Sequence, residues 1–212
     1  MAIKNDREYR DMTFEIRSFE EPDQDERMIV RGYASTFNEP YTLSGGDDWR
    51  LDEIVDARAF DNTDMSDVIM QYNHEGRVFA RISNNTLTVT PDERGLLIEA
   101  DLGGTELGRQ LFEEIKGGYT NKMSFGFTVD GESEERKKGD DGFTVYTRTI
   151  TSVRKLYDVS AVSIPANDAT SISVRNLTDG VIEKIQAERL EADALELRRH
   201  KLLVRAKLNG GQ

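Results

Sequence analysis

The stretch Lys122-Met123-Ser124-Phe125-Gly126-Phe127 alternates large apolar side chains with small ones. This period of two predicts a short β-strand with one apolar face, and it holds Ser124 on the opposite face, next to a glycine. Two interpretations of Ser124 follow. It is either a strand serine with an ordinary hydrogen-bond partner or a nucleophile, and a serine nucleophile requires an adjacent base that takes its proton.

Histidine is the side chain best suited to accept that proton near neutral pH, and the chain contains two, His74 and His200. His74 ends a predicted strand at 68–74, and the ends of strands are where a sheet presents side chains to a cleft. A structural or solvated histidine is the alternative interpretation. His200 lies in a predicted helical tail and would reach the site only if that tail folded over the cleft.

Asp158 is the candidate for a third member, because it lies within the apolar segment 156–162. A carboxylate in an apolar strand is costly unless it is paired. Pairing with His74 would offset that cost and would orient the imidazole. A salt bridge from Asp158 to Arg154 or Lys155 is the competing interpretation.

Composition limits the classes of partner and site. The formal net charge of −12 argues against nucleic acid, because phosphate binding needs a basic face. The absence of cysteine excludes disulfides, a cysteine nucleophile and thiolate metal sites, and it favours a reducing compartment. The acids show no binding-loop spacing, so we expect neither a metal nor a cofactor. We also expect no membrane helix and no secretory signal peptide.

Hydrophobic periodicity predicts a mainly β chain with few helices. Residues 1–12 are interpreted as a polar tail, and 130–142 as a mobile loop. Strands are predicted at 13–17 and 28–34 (as an antiparallel pair), 49–55, 68–74, 143–150, 153–164 (central in a sheet) and 171–174. A hairpin is predicted over 87–100, a helical turn over 56–63, a turn at Glu75-Gly76, and a helix over 105–116 that Thr105 caps and Gly117-Gly118 ends.

The carboxyl end has a different character. Residues 181–208 contain no glycine or proline, and a thin apolar seam repeats at spacings near three and four. Acids lie mostly early in this segment and bases mostly late, as the helix dipole favours. Such a helix either binds a partner, which is another copy or another protein, or packs back on its own domain.

Several motifs follow one another along residues 32–174: Gly32-Tyr33-Ala34-Ser35-Thr36-Phe37-Asn38, Ala57-Arg58-Ala59-Phe60, Asn73-His74, Asp92-Glu93-Arg94-Gly95-Leu96, Met123-Ser124-Phe125-Gly126-Phe127 and Asp158-Val159-Ser160-Ala161-Val162-Ser163-Ile164-Pro165-Ala166. In order and spacing they resemble the caudovirus prohead protease family, the serine peptidases of tailed-phage capsid assembly. The family's histidine and serine fall on His74 and Ser124, and its late acidic residue falls on Asp158. Glu75 and Ala80 depart from residues common in the family.

The resemblance implies a fold and a division of the chain. The family is similar in fold to the herpesvirus capsid proteases, a mainly β barrel ringed by helices (α+β). Residues 13–178 would form the protease domain and 179–212 a helical extension. Herpesvirus enzymes use a second histidine as third member. Because this domain has none before the tail, Asp158 serves in that role or the site is a dyad.

The resemblance also implies a serine endopeptidase without cofactors that acts in the procapsid interior, in the host cytoplasm during assembly. Its expected partners are the major capsid protein, that protein's scaffolding segment or an internal scaffold, and itself through autocleavage or an oligomer. Backbone N–H groups would hold the oxyanion. The alternative is a non-catalytic, protease-like protein of capsid assembly.

Overall fold

The computed structural model of the chain describes residues 7–12, 17–20, 27–162 and 172–209. Contacts divide the chain into two compact units, residues 1–174 and 175–212. The first unit is built mainly of β-strands, and this confirms the expected α+β class with a predominance of strand. The bounds of the domains given above stay a prediction.

The described strands form two sheets. The larger one has the order β1-β10-β11-β5-β4, with β6 paired to β11 and β7 paired to β6. The smaller one has the order β2-β3-β9-β8. The bounds are β1 Glu8–Met12, β2 Arg17–Glu20, β3 Met28–Thr36, β4 Tyr41–Gly45, β5 Trp49–Val55, β6 Ile69–Tyr72, β7 Glu75–Arg81, β8 Leu87–Pro91, β9 Gly95–Asp101, β10 Lys122–Lys138 and β11 Thr144–Val162.

Strands β10 and β11 organise the larger sheet. They pair antiparallel with each other, and β11 also pairs parallel with β5 and with β6. Met123, Phe125 and Phe127 are fully buried, as the alternation of 122–127 predicts, and the last two rings stack with centroids 4.6 Å apart. The central position expected for the late apolar strand is confirmed, because β11 has partners along both edges.

The smaller sheet and one helix cover the same core. The predicted hairpin is confirmed as β8 and β9, and the turn is closed by Asp92, whose side chain accepts from the N–H groups of Arg94 and Gly95. Helix α1 spans Glu106–Lys116, and Thr105 caps it by accepting from the N–H of Gly108 at 3.0 Å. The helix buries Leu111, Phe112 and Ile115, whereas Leu107 is exposed.

The amino-terminal segment is the main correction to the sequence analysis. Residues 8–12, interpreted as part of a polar tail, form the edge strand β1 and pair antiparallel with β10. The sequence pattern misses this strand because three of its five residues are charged, whereas strands are predicted from apolar alternation. Of the strand expected at 13–17, only Arg17 lies within the described residues, where it begins β2. Strand β2 does pair antiparallel with β3.

The expected mobile loop at 130–142 was also wrong. Strand β10 continues to Lys138, and its distal part pairs with residues 144–152 of β11. Backbone hydrogen bonds hold this part of the hairpin, so it needs few apolar side chains. The two strands predicted at 143–150 and 153–164 are one continuous strand. Residues 56–63 form hydrogen-bonded turns rather than a helical turn.

The second unit consists of most of helix α2, Ile172–Asn209. The last short strand predicted at 171–174 was wrong from residue 172 onward, because those residues begin this helix. Several apolar side chains on α2 are exposed, among them Leu190, Leu195, Leu197 and Leu202. Within the part of the chain that the structure describes, no helix has both the length and the apolar character to cross a membrane.

The strand pairing bears on the expected barrel. Among the described residues, the two hydrogen-bonded sheets do not close into one ring of strands. The described helical structure in the first unit beyond residues 172–174 is α1 and one short 3-10 turn, Ile82–Asn84. The finer prediction of a herpesvirus-type barrel ringed by helices therefore stays a prediction.

Candidate active site

Ser124 and Asp158 are brought to the same face of the larger sheet by the register of β10 and β11. Ser124 lies opposite Ser160, and Gly126 lies opposite Asp158. Directly opposed residues of an antiparallel pair project to the same side, so the side chains at 124 and 158 share one face. The apolar residues that alternate with them enter the core on the other side.

His74 is positioned by the tight turn between β6 and β7. Asn73 and His74 both have positive φ values, 50° and 58°, as the two central residues of a type I′ hairpin turn require. The turn is therefore at Asn73-His74, and the prediction at Glu75-Gly76 was wrong by two residues. The N–H of Asn73 donates to the carbonyl of Ala161 at 3.0 Å, which holds the turn against β11.

The three side chains form a continuous hydrogen-bonded chain. The Nε2 of His74 lies 2.5 Å from the Oγ of Ser124, and its Nδ1 contacts the Oδ1 of Asp158. A neutral imidazole that donates its Nδ1–H to the carboxylate leaves Nε2 free to accept the serine proton. Ser160 donates a further hydrogen bond to the same carboxylate oxygen at 3.0 Å.

The competing interpretation of Asp158 is not realised in this structure. Arg154 pairs with Asp130 at 3.1 Å, and Lys155 pairs with Asp64 at 2.7 Å. The cation that does contact Asp158 is Arg7, whose Nη2 donates to Oδ2. Asp158 is fully buried, and both of its oxygens are engaged.

Two residues before and within β1 were missed by the sequence analysis. The guanidinium of Arg7 lies 4.4 Å from the ring centroid of Tyr157, and the ring of Tyr9 meets the imidazole of His74 edge-on at 4.3 Å. The available signal was the alternation Arg7-Glu8-Tyr9-Arg10, which puts two residues on each face of a strand. Their charged character favoured a tail instead.

The surroundings make His74 a neutral imidazole. Burial lowers the pKa of His74 to about 4, and the positive charge of Arg7 adds to the decrease. The side chain of His74 is 15% exposed, whereas Ser124 and Asp158 are 0% exposed. The imidazole is thus the one member of the three that still reaches the surface.

A buried ionic network lies on the opposite face of β1. The guanidinium of Arg10 donates to both carboxylate oxygens of Glu53, at 2.5 and 2.9 Å, and Arg148 donates to the same residue at 2.6 Å. Glu8 accepts from Arg10 and from Arg148. Burial opposes ionisation of Glu53, but the two arginines outweigh it and lower its pKa. The network ties β1 to β5 and β11.

Two further possibilities concern the site: a contribution from His200 and a bound metal ion. The side chain of His200 is outside the described residues. Within the described ranges, no cluster of three or more His, Asp or Glu residues is arranged to hold a metal ion.

Two comparisons with known proteins give matches. The family model described as caudovirus prohead serine protease matches residues 12–184. The chain is also similar to the prohead protease of Escherichia phage T5, with 25% identity over 171 residues that cover 78% of this chain and 71% of the relative. No solved structure matches. The family match spans most of the chain, including all three residues of the hydrogen-bonded group, and the chain belongs to the caudovirus prohead serine protease family.

Proposed function

We propose that this chain is a serine endopeptidase of phage capsid maturation, with Ser124 as nucleophile, His74 as general base and acid, and Asp158 as the residue that orients the imidazole. The observation that carries the proposal is the hydrogen-bonded chain from Ser124 Oγ through His74 to Asp158. A strand serine with only a structural role does not require a buried carboxylate behind its histidine partner.

The proposed chemistry is acyl transfer with one shuttled proton. Ser124 Oγ attacks the peptide carbonyl carbon while its proton moves to Nε2 of His74, and the carbonyl becomes a tetrahedral oxyanion. Collapse breaks the C–N bond, and the leaving amine takes the proton from Nε2. A water molecule then repeats the sequence, releases the acid and returns the proton to Ser124. Asp158 accepts from Nδ1 throughout and stabilises the transient imidazolium.

The substrates that we propose are those of a prohead protease: the internal scaffold or the scaffolding segment of the major capsid protein, and the protease itself. The site of action is the procapsid interior. We also propose that 13–178 is the protease domain and that the helical extension serves for docking or assembly. Exposed leucines on α2 support a partner for that helix, because their apolar surface would leave water on binding.

The herpesvirus-type fold belongs to this proposal as well. It is supported by the family membership and by the predominance of strand in the first unit. An experimental structure tests it directly: strands that close the two described sheets into one barrel would support the relation, and two open sheets would contradict it.

One observation favours the alternative, a non-catalytic assembly protein. Ser124 is fully buried, and its hydroxyl contacts the backbone carbonyl of Arg10 at 2.9 Å as well as His74. A peptide cannot reach a serine in that state. The two candidate functions therefore differ in whether the residues that bury Ser124 can move away from it.

The test is co-expression of the chain with its capsid protein, as wild type, Ser124→Ala and His74→Ala. We expect shortened capsid protein with the wild type and none with either variant. Mass spectrometry of the new termini gives the cleaved bonds. Cleavage that persists with Ser124→Ala would refute the nucleophile, and uncleaved capsid protein with all three chains would favour the assembly role.

A further inference from the structure

Strand β1 occupies the position that a peptide would take beside Ser124 if it added a strand to the edge of β10. It pairs antiparallel with β10 from Glu8 opposite Phe127 to Met12 opposite Met123, and Asp11 lies directly opposite Ser124. It is an edge strand of the larger sheet, with β10 as its partner in the strand order. Peptides commonly bind to proteins by adding a strand to such an edge. The edge beside Ser124 is occupied by the chain itself.

The outer face of β1 covers each member of the hydrogen-bonded group. The carbonyl of Arg10 receives the hydroxyl of Ser124 at 2.9 Å, Tyr9 packs on the imidazole of His74, and Arg7 pairs with Asp158. A serine hydroxyl has one proton, so donation to the carbonyl of Arg10 competes with donation to His74. Strand β1 therefore blocks access to Ser124 and also competes with His74 for the proton of its hydroxyl.

The side chains described on the inner face of β1 hold the strand by charge. Glu8 and Arg10 enter the network with Glu53 and Arg148, as described above. Without β1, Arg148 keeps Glu53 at 2.6 Å and Glu132 at 2.5 Å as partners, so no core cation would be orphaned. Buried ion pairs add little net stability compared with apolar packing. Release of β1 would therefore leave Arg148 and Glu53 paired with each other.

Arg7 adds a cost to the covered state. Its Nε is buried without a hydrogen-bond partner among the described residues, although its Nη2 pairs with Asp158. A buried donor without a partner opposes the conformation that buries it. The unpaired Nε would regain water if residues 7–12 left the sheet, which favours release.

We propose that residues 7–12 are an intramolecular inhibitor, which occupies the place of the peptide substrate beside Ser124 and must leave this edge before a peptide is cleaved. The inference rests on the proposed protease function for its purpose, but the covering and uncovering of residue 124 can be measured without it. It also accounts for a fully buried nucleophile in a chain of this family.

The test uses residue 124 as a reporter of access. The chain has no cysteine, so Ser124→Cys in the full chain introduces a single thiol. Its alkylation rate with iodoacetamide is measured in that background, with Arg7→Ala/Tyr9→Ala, and with Arg10→Ala added. The matched control is Tyr33→Ala/Arg94→Ala, which removes another arginine–tyrosine stacking pair, 4.7 Å apart, on β3 and the β8–β9 turn.

We expect alkylation to accelerate at least about tenfold in the double variant and further in the triple variant. A tenfold increase corresponds to a decrease of about 1.4 kcal/mol in the free energy of opening β1. The control stays within about twofold. The rates are compared at a pH at which the thiol of every variant is ionised, so that acceleration reports uncovering and not a change in the thiolate fraction. Hydrogen exchange of residues 8–12 is followed in parallel.

Each other outcome is decisive. Faster exchange of residues 8–12 with unchanged alkylation overturns the inference, because an opened strand would not uncover residue 124. Protection of that strand in both variants also overturns it, because the strand would be a permanent part of the sheet. A further outcome is that the thiol is uncovered in the triple variant while the native Ser124 hydroxyl of that variant never reacts with a fluorophosphonate. That result would support β1 as the segment that covers residue 124 and would contradict the proposed protease function.

Discussion

Arg7 and Asp158 form an ion pair across 151 positions of the chain, and the carboxylate that Arg7 engages is the same one that contacts His74. The side chain of Arg7 is partly exposed, whereas that of Asp158 is fully buried. The pair therefore connects the segment at the edge of the sheet to a fully buried acid. It also places a positive charge close to the imidazole that would have to become positive during the reaction.

The first prediction concerns the protonation of His74. Burial and the nearby Arg7 charge lower the pKa of His74 to about 4, so removal of the charge and of the cover should raise it toward its ordinary value. We expect Arg7→Ala to move the imidazole titration upward by one pH unit or more, to a midpoint between about 5 and 6.5. Nitrogen-detected NMR of the histidine side chains measures this.

The matched control is Arg7→Lys, which keeps a positive charge and should titrate close to the wild type. Spectra are assigned with His200→Gln, since the chain has only two histidines. Because the base must be neutral, labelling of Ser124 by a fluorophosphonate should be lost as pH falls through the same midpoint. An imidazole midpoint that does not move in Arg7→Ala would show that this charge has no influence on the base.

The second prediction concerns Asp158. The variant Asp158→Asn keeps the shape of the side chain but removes the charge that fixes the imidazole tautomer and stabilises its protonated form. We expect the rate of fluorophosphonate labelling to fall by about 10²–10⁴, less than with His74→Ala. The control Ser160→Ala removes only the hydroxyl that donates to Asp158 at 3.0 Å, and its effect should stay below about tenfold. An undiminished rate in Asp158→Asn would indicate a dyad.

The third prediction concerns Gly126, which lies opposite Asp158. A methyl group at this position would overlap the Oδ2 of Asp158 and would lie 2.9 Å from the Tyr9 ring and 3.0 Å from the Nε of Arg7. We expect Gly126→Ala to displace the carboxylate, to lower stability by about 1–3 kcal/mol and to reduce labelling of Ser124 at least tenfold. The control is Gly104→Ala, whose methyl group meets nothing within 4 Å.

Thermal unfolding and the labelling rate together decide this case. Gly104→Ala should match the wild type within about 0.5 kcal/mol, because a substitution in open space neither strains nor fills the fold. If Gly126→Ala were equally neutral in both measurements, the close packing of β1 and Asp158 around this glycine would be wrong.

Much of the fold follows from local pattern. The apolar alternation of 122–127, the hairpin of β8 and β9, and the capped helix α1 each carry their own signal within a few residues. The strands that pattern misses are polar on both faces or paired by charge. The distal part of β10 is held by long-range backbone pairing, and β1 is held by such pairing together with the buried ion pairs of Glu8 and Arg10.

The candidate site divides in the same way. Ser124, His74 and Asp158 can be selected from chemistry and from a family resemblance, since each is an unusual residue in its context. Their meeting depends on the pairing of β10 with β11 and on a turn with two positive φ values, which only the fold supplies. Arg7 and Tyr9 have no unusual context, so nothing local identifies them. Their contacts exist only because β1 joins the sheet.

The last prediction locks β1 in place and releases it again. Met12 lies directly opposite Met123 in the antiparallel register, so their Cα atoms should be about 4.5–5.5 Å apart, within the range that a disulfide spans. In the otherwise cysteine-free chain, Met12→Cys/Met123→Cys should form one reversible cross-link. We expect the oxidised form to resist fluorophosphonate labelling and the reduced form of the same protein to recover it.

The comparison is made within one protein, so loss of the buried Met123 side chain affects both states alike. Adding Arg7→Ala/Tyr9→Ala should accelerate labelling of the reduced form only, because the cross-link holds the strand whatever its side chains contribute. A cross-linked chain that labels as fast as its reduced form would mean that Ser124 is reached without moving β1. Catalysis would then proceed from another direction, and the strand would be a structural edge rather than an occupant of the substrate's place.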